Sequence, residues 1–79
     1  MIRKPVPESY NLKLQRLSSL LKEYRINNGY SQIGLSEYLN IHRNTLSRAE
    51  NGKNITLLSL LELADTLEID LVDLFVDIE

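Results

Sequence analysis

Residues 31–53, reading SQIGLSEYLNIHRNTLSRAENGK, constrain the fold more than any other part of the chain, because they hold two short helical patterns separated by Asn40 and Ile41 alone. The first pattern opens on Ser31 and carries Leu35 and Leu39 four residues apart. The second runs over 43–51, turns Leu46 and Ala49 inward, and is followed by Gly52. Two apolar stripes so close in sequence require the chain to fold back sharply at the junction. Asn40 suits that bend, since asparagine follows glycine in its willingness to take positive φ. Small Ser36 fits the crowded point where the two helices meet.

The outer face of the second pattern carries Arg43, Asn44, Ser47 and Arg48. Arginine pairs bidentately with guanine and asparagine with adenine, so such a face is able to read base edges in a DNA major groove. Arg43 and Asn44 open the helix, where side chains come closest to the bases, and Ser47 and Arg48 follow one turn later. Two helices, a tight turn and a donor-rich outer face are expected to make a helix-turn-helix with sequence-specific DNA binding. A solvated polar face is the ordinary alternative, and the flanking turn makes it the weaker one.

Charge distribution agrees with this. The net charge is −2, but all nine basic residues lie within positions 1–54, where four acids oppose them to leave +5. Positions 55–79 hold seven acids and no base. One pole is therefore expected to face phosphate and the other to turn away from it. Seventy-nine residues make one domain with a modest core. The absence of cysteine excludes disulfides and thiolate chemistry. With one histidine and no glycine-rich phosphate loop, no enzyme is expected, and no cofactor or metal. Neither a signal peptide nor an apolar run of membrane-spanning length is visible, so a soluble cytoplasmic protein is expected.

Along the chain, Pro5 and Pro7 predict an N-terminal arm over 1–10 and a folded domain over 11–79. A first helix is expected from about Asn11, with Leu14, Leu17, Leu21 and Tyr24 on one stripe and Asn28-Gly29 as its stop. Ser31 is expected to cap the second helix, and Gly34 to weaken it by roughly 1 kcal/mol relative to alanine. Thr56 is placed to cap a fourth helix whose stripe is Leu57, Leu60, Leu61, Ala64 and Leu67. Asp70 is placed to cap a fifth, short helix that sends Leu74 and Phe75 to the core. The expected fold class is all-α, with five helices.

With Gly29-Tyr30-Ser31-Gln32, Leu39-Asn40-Ile41, the run 45–53 reading TLSRAENGK, the run 60–64 reading LLELA, and Asp73-Leu74-Phe75, the chain resembles the lambda-repressor-like (Cro/cI, XRE-type) helix-turn-helix domains. The resemblance covers roughly residues 12–75 and implies a compact five-helix domain of a dimeric transcription regulator. It implies that Arg43, Asn44 and Arg48 read bases, and that Gln32 bonds a phosphate while buttressing the third helix. It also implies a structural pair between Arg25 and Glu50. Three positions depart from the family pattern: Gly34 replaces an acidic residue, Asn40 the turn glycine, and Glu68 the glycine that ends the fourth helix.

Two further positions complete the expected DNA surface. His42 sits at the start of the third helix, where capping is its ordinary role and a phosphate contact a secondary one. Asn51 to Asn54 close that helix, where their amides and the Lys53 ammonium are placed to hold phosphate; such contacts add affinity and little sequence information. In the C-terminal part, Leu58, Leu63, Val72, Val76 and Ile78 lie off the main stripes and, with Leu71, are the candidate homodimer surface. The resulting expectation is a transcription regulator, such as a repressor, that binds double-stranded operator DNA as a dimer. The competing reading is an antitoxin-type module that binds DNA and also a protein partner.

Overall fold

Pro7 starts the first helix, three residues earlier than its apolar stripe suggests. The computed structural model describes residues 5–79, and the basic pair Arg3-Lys4 of the expected arm lies outside them. Helix α1 spans Glu8–Asn27, α2 Gln32–Leu39, α3 Arg43–Ala49, α4 Leu57–Thr66 and α5 Leu71–Asp77. The expected arm therefore gives up positions 8–10 to α1. Pro7 needs no amide at a helix start, its carbonyl accepts from the Tyr10 amide at 3.0 Å, and Glu8 places a negative charge in the first turn. Helix α3 is also two residues shorter than expected, with Glu50 as its C-cap.

Side-chain caps fix the other four helix starts. Ser31 Oγ accepts from the Gly34 amide at 2.9 Å, and His42 Nδ1 from the Asn44 amide at 3.1 Å. Thr56 Oγ1 accepts from the Ser59 amide at 3.1 Å, and Asp70 from the amides of Val72 and Asp73. Gly34 has a local reason, because a Cβ there would stand 3.0 Å from the capping Ser31 hydroxyl.

The core forms where the helices converge. Leu21, Leu35, Leu46, Leu63, Leu67 and Leu74 are its largest fully buried side chains, and every helix or its end supplies at least one. Burying each stabilises the fold by about 1.5–3 kcal/mol. Helix α4 is rotated from the expected stripe. Leu60, Leu63, Ala64 and Leu67 face inward, whereas Leu57 and Leu61 are exposed. Leucines occupy more than half the circumference of α4, so periodicity alone does not select the sector that its neighbours cover.

Two assignments therefore change. Leu63 belongs to the core and not to a dimer surface, being 1% exposed. Phe75, expected in the core, is 44% exposed and lines a groove with Pro5, Val6, Tyr10, Leu14 and Ile78. Successive helical residues point about 100° apart, so a short α5 that buries Leu74 completely turns Phe75 toward its edge. Leu71 is half-buried against the core, and Ile78 is likewise only partly exposed. No helix among the described residues is long and apolar enough to cross a membrane.

Candidate nucleic-acid interface

Asn40 makes the junction between α2 and α3. Its φ of 54° and ψ of 43° put it in the left-handed region. The Asn40 amide bonds Glu37 O at 3.1 Å and the Ile41 amide bonds Ser36 O at 3.0 Å, which satisfies the last carbonyls of α2 and reverses the chain. Leu35 from α2 and Leu46 from α3 are buried on either side of the turn. The rotation of α3 is thereby fixed: with Leu46 and Ala49 inward, Arg43, Asn44 and Arg48 are exposed on the outside. Ser47 is half-buried beside them.

A buried polar network holds the far end of α3. Arg25 donates from Nε to Glu50 Oε2 at 2.6 Å and from Nη2 to Glu50 Oε1 at 3.1 Å, while its Nη1 bonds the Tyr30 carbonyl at 2.8 Å. Gln32 Nε2 donates to Glu50 Oε1 at 3.0 Å. Helices α1 and α2 thus both grip the carboxylate that ends α3. The Arg25 and Glu50 side chains are 10% and 2% exposed. Among the described residues, no buried side-chain nitrogen or oxygen lacks a partner. Such completeness matters, because a buried charge stabilises only when its hydrogen bonds are satisfied.

Several expected site residues have internal partners. Gln32 spends one amide hydrogen on Glu50 and retains the second, since the NH₂ group has two. His42 is the α3 cap, through Nδ1. Asn51 turns back on its own helix, with Nδ2 donating to Ser47 O at 2.6 Å and to Ser47 Oγ at 3.3 Å. Three backbone amides that follow α3 are also occupied: Asn51 and Lys53 bond Arg48 O, and Gly52 bonds Ser18 Oγ. The amides of Asn51, Gly52 and Lys53 and the side-chain amide of Asn51 are thus engaged in ending the helix. Lys53 keeps an exposed side chain.

The basic pole is smaller than the sequence count. Lys13 pairs with Glu79 at 3.5 Å, Arg16 bonds the carbonyls of Ile78 and Glu79 at 3.2 Å each, and Arg25 is buried. Arg43, Arg48 and Lys53 are exposed on and beside α3. Arg48 also lines a shallow groove with Thr45, Asn54, Ile55, Thr56 and Ser59.

This ordered pair of helices, with a left-handed turn and a polar outer face on the second, agrees with the family comparison. The helix-turn-helix family model matches residues 21–74. The chain belongs to the lambda-repressor-like (XRE-type) helix-turn-helix family. No curated protein sequence matches it. The family is one of DNA-binding transcription regulators, and the match spans α2 to α4 entirely, with the last third of α1 and the first half of α5. Sequence reasoning missed Ser18, a buried polar residue on the inner face of α1. Its position, between Leu17 and Leu21 on an apolar stripe, was the available signal.

Proposed function

We propose that this helix-turn-helix protein is a sequence-specific transcription regulator that inserts α3 into the major groove of its operator. The observation that carries this reading is the outward presentation of Arg43, Asn44 and Arg48 on a helix whose far end is locked by the Arg25–Glu50–Gln32 network. Rigid presentation matters because each bidentate base contact discriminates only when its geometry is held, at about 1–3 kcal/mol per pair. Arg43, Asn44, Ser47 and Arg48 are assigned to base edges. Gln32, through its second amide hydrogen, and Lys53 are assigned to phosphates.

The operator is bound as a dimer in this reading. A single small module rarely supplies the ~10⁻⁸ M or tighter affinity of specific regulators, and a two-fold pair brings a second α3 to a half-site about 34 Å away. Leu57, Leu58 and Leu61 on α4 and Val72 and Val76 on α5, each at least half exposed, supply apolar surface for that pairing. Selection of bound duplexes from a random pool tests the reading. Enrichment of one near-palindromic sequence is expected; recovery of an unenriched pool would refute it.

A further inference from the structure

Among the described residues, four chain reversals place a residue in the left-handed region: Gly29 at φ 80°, Asn40 at 54°, Gly52 at 72° and Glu68 at 56°. At three of them the left-handed residue bonds the carbonyl three positions back, Gly29 to Ile26 at 3.0 Å, Asn40 to Glu37 at 3.1 Å and Glu68 to Asp65 at 3.3 Å. These helix ends are closed by their own backbone. The end of α3 is different. The outer bond remains, from the Lys53 amide to Arg48 O at 3.1 Å, but the Gly52 amide donates to Ser18 Oγ on α1 at 2.7 Å. Ser18 is 5% exposed, and α1 lies so close to the turn that a Cβ on Gly52 would stand 3.3 Å from Gln15 Cγ.

We propose that Ser18, a buried residue of α1, is a positioning residue for DNA affinity. Its hydroxyl holds the Gly52 turn and so aims the Lys53 side chain at the phosphate backbone. The proposal rests on the DNA-binding reading above. A phosphate contact carries no sequence information, so Ser18 sets how tightly any duplex is held and leaves the choice of sequence to α3. A neutral hydroxyl is well suited to this, since it anchors the turn without adding charge near the nucleic acid.

A double-mutant cycle between Ser18→Ala and Lys53→Ala, read as duplex affinity, tests it. Ser18→Ala is expected to weaken all sequences alike, by no more than Lys53→Ala itself does because it acts through that contact, with the base-preference profile unchanged. Lys53→Ala is expected to weaken the unaltered protein but to cost much less in the Ser18→Ala background, because the loosened turn has already lost the contact. A merely structural serine leaves the two losses additive, and additivity, or full affinity in Ser18→Ala, overturns the proposal. If Ser18→Ala does not fold, Ser18→Cys keeps a side chain of similar shape with a weak acceptor and supports the same cycle. An unaltered protein that binds no duplex would instead overturn the DNA-binding reading itself, and this proposal with it.

Discussion

The Arg25 guanidinium and the Glu50 carboxylate meet through two hydrogen bonds, of 2.6 and 3.1 Å, and join α1 to the residue that ends α3. Both charges are out of solvent, so each depends on the other. Removing one partner leaves the other uncompensated, and Arg25→Ala or Glu50→Ala is expected to lower stability by about 3–5 kcal/mol. Replacing both with apolar residues, as in Arg25→Met with Glu50→Leu, is expected to lose much less. Urea unfolding of the three variants checks the order. A pair of single variants that unfold like the original would show that the bonds contribute little. Arg25→Lys is expected to rescue poorly, since an ammonium lacks the planar fork that reaches both oxygens and the Tyr30 carbonyl.

Glu68 ends α4 at φ 56°, with a side chain where glycine carries no steric penalty. The left-handed conformation costs a non-glycine residue about 1–2 kcal/mol, part of which glycine returns through its freer unfolded chain. Glu68→Gly is therefore expected to stabilise the protein by about 0.5–1 kcal/mol. Thermal unfolding reads this as a rise of a few degrees, and a fall would mean that the Glu68 side chain stabilises the turn.

Dimerisation is expected to use the exposed apolar side chains of α4 and α5. Val72→Glu, at a position 70% exposed, is expected to leave the monomer folded and abolish pairing. Leu63→Ala is expected to behave oppositely, costing about 2–5 kcal/mol of stability because it opens a cavity in the core. The seven acids of positions 55–79 repel one another across such an interface, so pairing is expected to tighten as salt screens them. Sedimentation at micromolar protein checks both points. A strict monomer at every salt concentration would remove the interface.

Lys53 is expected to neutralise one phosphate. Lys53→Ala should then weaken binding to all sequences about equally and flatten the dependence of log K on log salt by about one unit. Titrations at several salt concentrations measure the slope. An unchanged slope would assign the Lys53 ammonium to solvent.

The helices and their caps were legible in the sequence because local chemistry determines them. Ser31, Thr56 and Asp70 each cap the helix expected of them, and Asn40 takes the left-handed turn that its residue type favours. What local patterning left open was decided by packing between helices. Leu57, Leu61 and Leu63 all fit an apolar α4, and only the neighbouring helices determine that Leu63 is covered while the others are not. The same limit explains Phe75. At the site, the outward face of α3 followed from Leu46 and Ala49 alone. The inward turn of Asn51 and the bond from Gly52 to Ser18 depend on distances that no sequence spacing encodes. The basic half of the chain also proved an incomplete guide, because Lys13, Arg16 and Arg25 are engaged within the protein.

The central claim is that α3 reads bases through Arg43 and Asn44, and the most direct measurement is the base-preference profile of single variants at these positions. Duplexes selected from a random pool by the unaltered protein, by Arg43→Ala and by Asn44→Ala would be compared position by position. Each variant is expected to lose about 1–3 kcal/mol on the preferred site and to relax preference at one base pair of each half-site, leaving the others intact. Profiles identical to that of the unaltered protein in both variants would contradict the account, because the outer face of α3 would then not be the surface that reads DNA.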